Sequence, residues 1–350
     1  MTTLAVGPLN TASQAAAWSD AATARNLPAL AFRSSDTLAK LRRRSQITDG
    51  RIVSAPDYRL APAWYRGSAA GRLVRDHSVT HLLNESNVPV FLRPGRSRFV
   101  DELPRWRRWA VKAGIVFHGS DARDPDLSME LSDHSFFHDA APEWVEILRQ
   151  RSAVNRRSAE DAGVPIYVST PDMLAHVPEA TLLPLTVNVN QWQTQDVALE
   201  RPVPRVLHRP SGSNSPTKGS AYIVPVLDEL ERDGRIEVVR SGVVSRQAMA
   251  RMIGESDIVV DQLQAGAYGL TAIEAMASAR LVVADVSESV RDVLGDVPIV
   301  DATPKTFAQA LDRVLEARDE SRALAAAGPS FVRQWHDGRK AFEVLKEFVR

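Results

Sequence analysis

The sequence contains no cysteine, which excludes disulfides, thiolate chemistry and cysteine-ligated metal sites. No apolar run approaches the roughly 20 residues that a membrane-spanning helix needs. The opening residues MTTLAVGPLN lack the basic region and apolar core of a signal peptide. A cytoplasmic location fits these absences, with peripheral attachment to a membrane surface left open. Net charge is also missing, since 43 Lys and Arg balance 43 Asp and Glu. The balance is uneven along the chain. Residues 1–112 hold 18 Lys and Arg against 8 Asp and Glu, about +10, and the remainder carries about −10. Clusters at 41–44 (LRRR), 93–98 (RPGRSR) and 105–109 (RWRRW) supply much of the excess. Each reads alone as a solvated face. Together they form a candidate surface for an anionic acceptor, membrane headgroups or nucleic acid.

What is present is an ordinary globular balance, 44% hydrophobic and 25% charged, over 350 residues, enough for two domains. The first half alternates short apolar strands (2–6, 28–32, 79–83, 114–119, 165–169, 181–185) with helical stretches (11–25, 61–76, 102–113, 142–162). Alternation at this spacing predicts a parallel sheet covered on both faces. Residues 183–206 are polar, hold several prolines and show no helical stripe, so they read as a linker. The alternation restarts with RVLHRP and continues to LVVADV, a second doubly wound domain. The last segment carries Phe342, Leu345 and Phe348 at helical spacing, an apolar stripe that must dock on something. The expected organisation is a first domain over 1–185, a linker over 186–204, a second domain over 205–335 and a terminal helix over 336–350.

Open parallel sheets bind ligands at the carboxyl ends of their strands, and four stretches sit at such ends. HRPSGSNSPTKG (208–219) delivers Arg209 and Ser211 from a strand, then opens a helix with Lys218 and Gly219. A helix N-terminus with a lysine suits a diphosphate. The spacing is not that of a Walker loop, and a surface loop with solvated cations explains the stretch equally well. In DQLQAGAYGLTAIEAMA (261–277), Gly266 and Gly269 permit close backbone approach, and Tyr268, Gly269, Leu270 and Thr271 lead into another helix N-terminus. Glu274 has two readings. Thr271-x-x-Glu274 fits a capping box, whereas a carboxylate can also accept hydrogen bonds from both hydroxyls of a ribose. The local pattern favours the cap. VFHGSDARDP (116–125) places His118 and Asp121 just past a strand, where a histidine can bond a substrate hydroxyl or serve the structure. GPLNTASQ (7–14) offers Gly7 for a turn, and Asn10 and Gln14 as polar groups facing the expected cleft. His134 and His138 have helical metal-ligand spacing without a third ligand, and Asp124 and Asp126 form a common pair, so no metal is expected.

Taken together these stretches resemble the retaining nucleotide-sugar glycosyltransferases of the GT-B fold, in the glycosyltransferase family 4-like group. The likeness is strongest over 208–285, where Lys218-Gly219 opens a helix and Gly269, Glu274, Ala275, Met276 and Ala277 precede a buried strand. It is looser in the first half, through GPLN with Gln14, HGSD with Arg123, and STPDML (169–174). The resemblance implies two doubly wound Rossmann-like domains facing across a cleft, with the C-terminal helix crossing back to the first. It implies hexosyl transfer from a UDP or GDP sugar to an acceptor hydroxyl, with retention and without a metal or cofactor. By the same resemblance Arg209 and Lys218 bind the donor diphosphate, and the backbone over 269–271 supports the distal phosphate. Glu274 binds the ribose, which reverses the local preference for a cap. His118 contacts the transferred sugar, and the base rests near Gly242 and Val243. There is one departure: the family carries a further glutamate upstream of Glu274, at the position held here by Gly266, and Gln262 or Asp261 are candidates to replace its contact. The acceptor is open, with an anionic lipid phosphate, glycan, protein or nucleic acid suggested by the basic first third. The rival readings are a non-catalytic nucleotide-sugar-binding or scaffold subunit, and a GT-B epimerase or phosphorylase.

Overall fold

The computed structural model describes residues 2–33, 53–54, 63–92, 95–192, 194, 196–210, 216–240 and 245–350. Ser211, Gly242, Val243, the basic cluster at 41–44 and Arg93 lie outside the described residues.

In chain order the first elements are β1 (Leu4–Gly7), α1 (Gln14–Thr23), β2 (Ala29–Arg33), β3 (Val53–Ser54), α2 (Ala63–Asp76), β4 (His81–Glu85) and α3 (Leu103–Arg108). They are followed by β5 (Lys112–Phe117), α4 (Pro125–Leu131), α5 (Pro142–Ala162), β6 (Ile166–Val168) and β7 (Thr181–Leu182). The later elements are β8 (Arg205–His208), α6 (Ser220–Arg232), β9 (Glu237–Arg240), α7 (Arg246–Glu255), β10 (Ile258–Val260) and α8 (Leu270–Ala277). β11 (Leu281–Ala284), α9 (Glu288–Leu294), β12 (Val300–Asp301), α10 (Phe307–Glu316), α11 (Arg318–Trp335) and α12 (Arg339–Phe348) complete the chain.

Among the described residues all strand pairs are parallel, in one sheet ordered β3-β2-β1-β4-β5-β6-β7 and another ordered β12-β11-β10-β8-β9. The central strands are short apolar runs buried on both faces, as helix-covered parallel sheets require. Successive side chains of one strand serve opposite layers. Leu82 and Ile115 join the core under α3 with Trp106, whereas Leu83 and Val116 join the core under α1 and α12.

The chain forms two compact units that are not contiguous in sequence. The first comprises residues 1–124, 148–186 and 338–350, and the second 125–147 and 187–337. The C-terminal helix α12 belongs to the first unit, burying Ala341, Leu345 and Phe348 at intervals of about one helical turn beside Leu4, Val6 and Trp18. The polar stretch after residue 186 packs with the second unit, where Trp192 and Leu199 are buried and Asp257 accepts the Leu199 N–H at 2.8 Å. Local differences from the sequence reading are small. The first helix starts at Gln14 after a 3-10 turn over Thr11–Ser13, and the 181–185 stretch pairs only through Thr181 and Leu182.

Candidate functional site

In the second sheet the chain leaves β8 toward β9 on one side and returns to the other side as β10. Loops that depart in opposite directions open a crevice at the carboxyl ends of those two strands. His208 pairs in register with Val260, so Arg209 and Asp261 leave the sheet as neighbours at this point. His208 itself is buried between the Val260 carbonyl at 3.0 Å and Ser220 Oγ at 2.8 Å, and burial pushes its pKa down to about 4. It tethers the start of α6 to the strand tips.

Lys218 stands just before α6, whose N-cap is Gly219. Its ammonium lies 2.8 Å from Asp261 Oδ1, with Asp261 fully buried. The second oxygen of the same carboxylate accepts the Gly269 N–H at 2.7 Å. Gly269 is the N-cap of α8. A Cβ there would stand 3.1 Å from Asp261 Oδ2, tighter than most side-chain contacts, so glycine suits this close approach. One carboxylate thus fixes Lys218 and the N-terminus of α8, and brings the two helix openings to one place.

Glu274 lies one turn into α8, 7% exposed. The capping box is not formed: the N-cap is Gly269, no side chain caps this helix, and Thr271 falls inside it. Among the described residues no hydrogen bond ends on the Glu274 carboxylate, and its nearest cation is Arg246, 4.0 Å away. Burial raises its pKa to about 7, against the opposing pull of Arg246, Arg209 and Lys218, with Asp261 adding to the rise. Those four groups therefore share one electrostatic neighbourhood with Glu274. Arg246, the first residue of α7, was not singled out from the sequence. Its guanidinium lies 5.9 Å from the Trp192 ring, and its Nε is buried without a hydrogen-bond partner. No local pattern marks it, because only the fold brings α7 to α8.

Other residues singled out in this stretch serve the loop itself. The Gln262 carboxamide donates to the Ala267 carbonyl. Tyr268 is buried, its hydroxyl 2.9 Å from His336 Nε2, and burial holds its pKa well above the usual value. Gly266 has φ +66°, and its N–H bonds Asp285 Oδ2 at 2.8 Å. Asp261, the other candidate to replace the missing glutamate, has one oxygen on Lys218 and the other on the Gly269 N–H. Leu270 and Thr271 are half-buried at the mouth of α8.

The first unit has its own crevice, where the strand order reverses between β1 and β4. Its centre is Glu85, fully buried, which ends β4 and was not singled out from the sequence. The signal was a carboxylate closing an apolar strand. Glu85 accepts the N–H groups of Leu9, Asn10 and Thr11 at 2.9, 2.6 and 2.8 Å. Burial would raise its pKa, but the hydrogen bond and charge of His118 and the backbone donors outweigh it and lower the value. His118 Nε2 lies 3.3 Å from Glu85, Nδ1 lies 3.2 Å from Ser169 Oγ, and the ring stacks on Trp18 at 5.7 Å. Asp121 accepts the His118 N–H at 3.0 Å, the Gly119 N–H at 2.7 Å and the Ser86 hydroxyl at 2.6 Å, so it shapes the turn that carries His118.

Asn10 and Gln14 both bond backbone within the unit. Asn10 Oδ1 accepts the Ala16 N–H at 3.0 Å, and Gln14 holds the Thr186 N–H at 2.7 Å while donating to the Thr186 carbonyl at 3.2 Å. Both are buried, and burial favours backbone partners for their carboxamide oxygens. Gly7 packs against Phe32, where a Cβ would stand 2.4 Å from the Phe32 carbonyl.

Residues 125–147, which interrupt the first unit in sequence, pack on the second. His134 Nε2 lies 3.2 Å from Asp285, which raises its pKa, and Gln264 donates to Asp139 at 2.6 Å. His134 and His138 share no helix, because α4 ends at Leu131, and His138 turns to the Ser132 carbonyl. Among the described residues no cluster of three metal-ligating side chains occurs, and no helix is long and apolar enough to cross a membrane.

No protein-family model matches the sequence, and no curated protein matches it. Solved structures match the fold. A glycosyltransferase from Rickettsia africae aligns at 12% identity and TM-score 0.61, over 99% of this chain and 97% of that one. Sucrose-phosphate synthase from Thermosynechococcus elongatus aligns at 12% identity and TM-score 0.61, over 99% and 98%. Anabaena HepE in complex with UDP aligns at 12% identity and TM-score 0.60, over 99% of each chain. The chain therefore has the fold of these proteins from end to end: two doubly wound parallel α/β units, the GT-B architecture.

Proposed function

We propose that the protein is a glycosyltransferase that moves a hexose from a UDP or GDP sugar to an acceptor hydroxyl, with retention and without a metal. The observation that carries this reading is the β8/β10 switch point. There Arg209, Lys218 and the openings of α6 and α8 gather beside a buried carboxylate that has no capping role. Two cations and two helix N-termini match a diphosphate, and a carboxylate on which no hydrogen bond ends among the described residues matches a ribose diol. The fold likeness raises the prior, and HepE is a structural neighbour that binds UDP in its crystal.

Chemistry follows from where charge develops. The anomeric C–O bond breaks and its electron pair passes to the distal phosphate. Arg209, Lys218 and the α8 N-terminus stabilise that charge, the setting in which electrostatic catalysis is strongest. The acceptor oxygen attacks the same face, and its proton passes to the departing phosphate oxygen, so no protein nucleophile is needed. In this reading His118 meets the transferred sugar by exchanging its contact with Glu85 or Ser169 for a sugar hydroxyl. The basic first third favours an anionic acceptor and a cytoplasmic protein that works at a membrane surface.

A second reading is favoured by Gly266, which offers no carboxylate to the sugar: a nucleotide-sugar-binding subunit without transferase activity. A thermal-shift panel of nucleotide sugars, followed by product analysis with the donor that binds, separates the two. Stabilisation with turnover supports transfer, and stabilisation with no product from a broad acceptor set supports the subunit. If no nucleotide sugar stabilises the protein, both readings fail.

A further inference from the structure

A cavity of about 420 Å³ opens in the first unit, away from the carboxyl ends of its strands. Leu103, Val111, Ala113, Val164, Pro165 and Phe348 wall it. Ala113 lies near the start of β5, and Val164 and Pro165 lead into β6. These are the amino ends of strands whose carboxyl ends carry His118 and Ser169. Six residues of β5 separate the two ends, roughly 17 Å of extended chain. The cavity is therefore distinct from the crevice around His118.

Two cations, Arg107 and Lys112, also line it, and no carboxylate does. Both are exposed, and among the described residues neither side chain makes an ion pair or hydrogen bond. The C-terminal dipole of α3 accounts for a cation at Arg107, in its last turn. It does not account for Lys112, which sits on a strand. The inner wall is closely packed. The Phe348 ring meets Tyr167 edge-on at 5.8 Å and His81 at 5.5 Å, and a Cβ on Gly114 would stand 3.1 Å from it. The cavity is held open by the strands and by α12.

We propose that this cavity binds the alkyl tail of an anionic single-chain amphiphile, with Arg107 and Lys112 on its charged head. Apolar walls with a few placed polar groups are the usual make-up of a ligand pocket of this size. They suit methylenes, because hydroxyls of a sugar would be buried without partners. Two unpaired cations of one sign at the mouth select a phosphate or carboxylate head.

The test is calorimetry on the full chain with dodecyl phosphate below its micelle concentration. Saturable one-to-one binding is expected. R107E/K112E changes two exposed residues, preserves the fold and weakens binding at least tenfold. Val164→Phe fills the cavity and weakens it at least tenfold with the cations intact, and dodecyl maltoside, uncharged and with the same tail, binds at least tenfold more weakly than dodecyl phosphate. The proposal is overturned if wild type shows no saturable binding, or if the charge-reversed variant retains wild-type affinity. Flotation with phosphatidylglycerol vesicles locates the source. Co-flotation lost in R107E/K112E places the amphiphile in a bilayer, and tight monomer binding without flotation places it in solution. Neither readout depends on a nucleotide sugar.

Discussion

The buried carboxylate of Asp261 holds Lys218 with one oxygen, at 2.8 Å, and the Gly269 N–H with the other, at 2.7 Å. A cation assigned to the substrate is thus first a partner of the protein. Removing it alone leaves Asp261 charged and unpaired in the interior, which costs about 3–5 kcal/mol. Lys218→Met should lower the melting temperature markedly, and K218M/D261N should recover most of the loss. Nucleoside diphosphate affinity should stay low in both. If the double variant regains affinity along with stability, Lys218 is structural only.

Glu274 should report on the ribose. Its pKa of about 7 places half-ionisation at neutral pH. Above that value the carboxylate accepts both hydroxyls of a diol, and below it the protonated group accepts less well. Discrimination between a ribonucleotide and its deoxy analogue should therefore grow from pH 6 to 8. Glu274→Gln should flatten that profile. A wild-type preference that is constant across this range would remove Glu274 from the ribose.

Arg246 is the nearest cation to Glu274 and opposes the effect of burial on its ionisation. Arg246→Met should move the midpoint of the preceding profile to higher pH, while Arg246→Lys should restore much of it. A merely structural arginine would lower affinity equally at all pH values.

In the first unit, Glu85 is held below its ordinary pKa in the fold, so its ionised form favours the native state. That stability is present above the unfolded value near 4.5 and is lost as pH falls through the folded value. Glu85→Gln should melt lower than wild type at pH 7. The gap should narrow as the pH is lowered below about 4. An unchanged gap from pH 7 to 3 would show that the carboxylate's charge contributes nothing to the 9–11 turn.

Gly266 sits where the resemblance expects a glutamate, yet its φ is +66°. Any side chain there costs about 1–2 kcal/mol of backbone strain. Gly266→Glu should destabilise the protein by about that amount, read by urea denaturation, and should not improve sugar transfer. A gain in turnover would mean that the loop adapts to the carboxylate.

The alternation of apolar runs and helical stripes by itself determined the two doubly wound units and the stripe on α12, because burial on both faces of a parallel strand leaves a local signature. It also marked Lys218-Gly219 and Gly269 to Glu274. The same local pattern misled at Thr271-x-x-Glu274. There α8 begins at Leu270, with its N-cap Gly269 tied by Asp261, a residue that no helix rule consults. Strand order was beyond reach, since periodicity does not say which strands pair. Yet strand order creates the β8/β10 and β1/β4 switch points and so gives Arg209, Asp261 and Glu85 their places. Tertiary structure alone brought Arg246 to Glu274 and carried residues 125–147 onto the second unit. Those contacts join groups far apart along the chain, and only packing sets the distance between them.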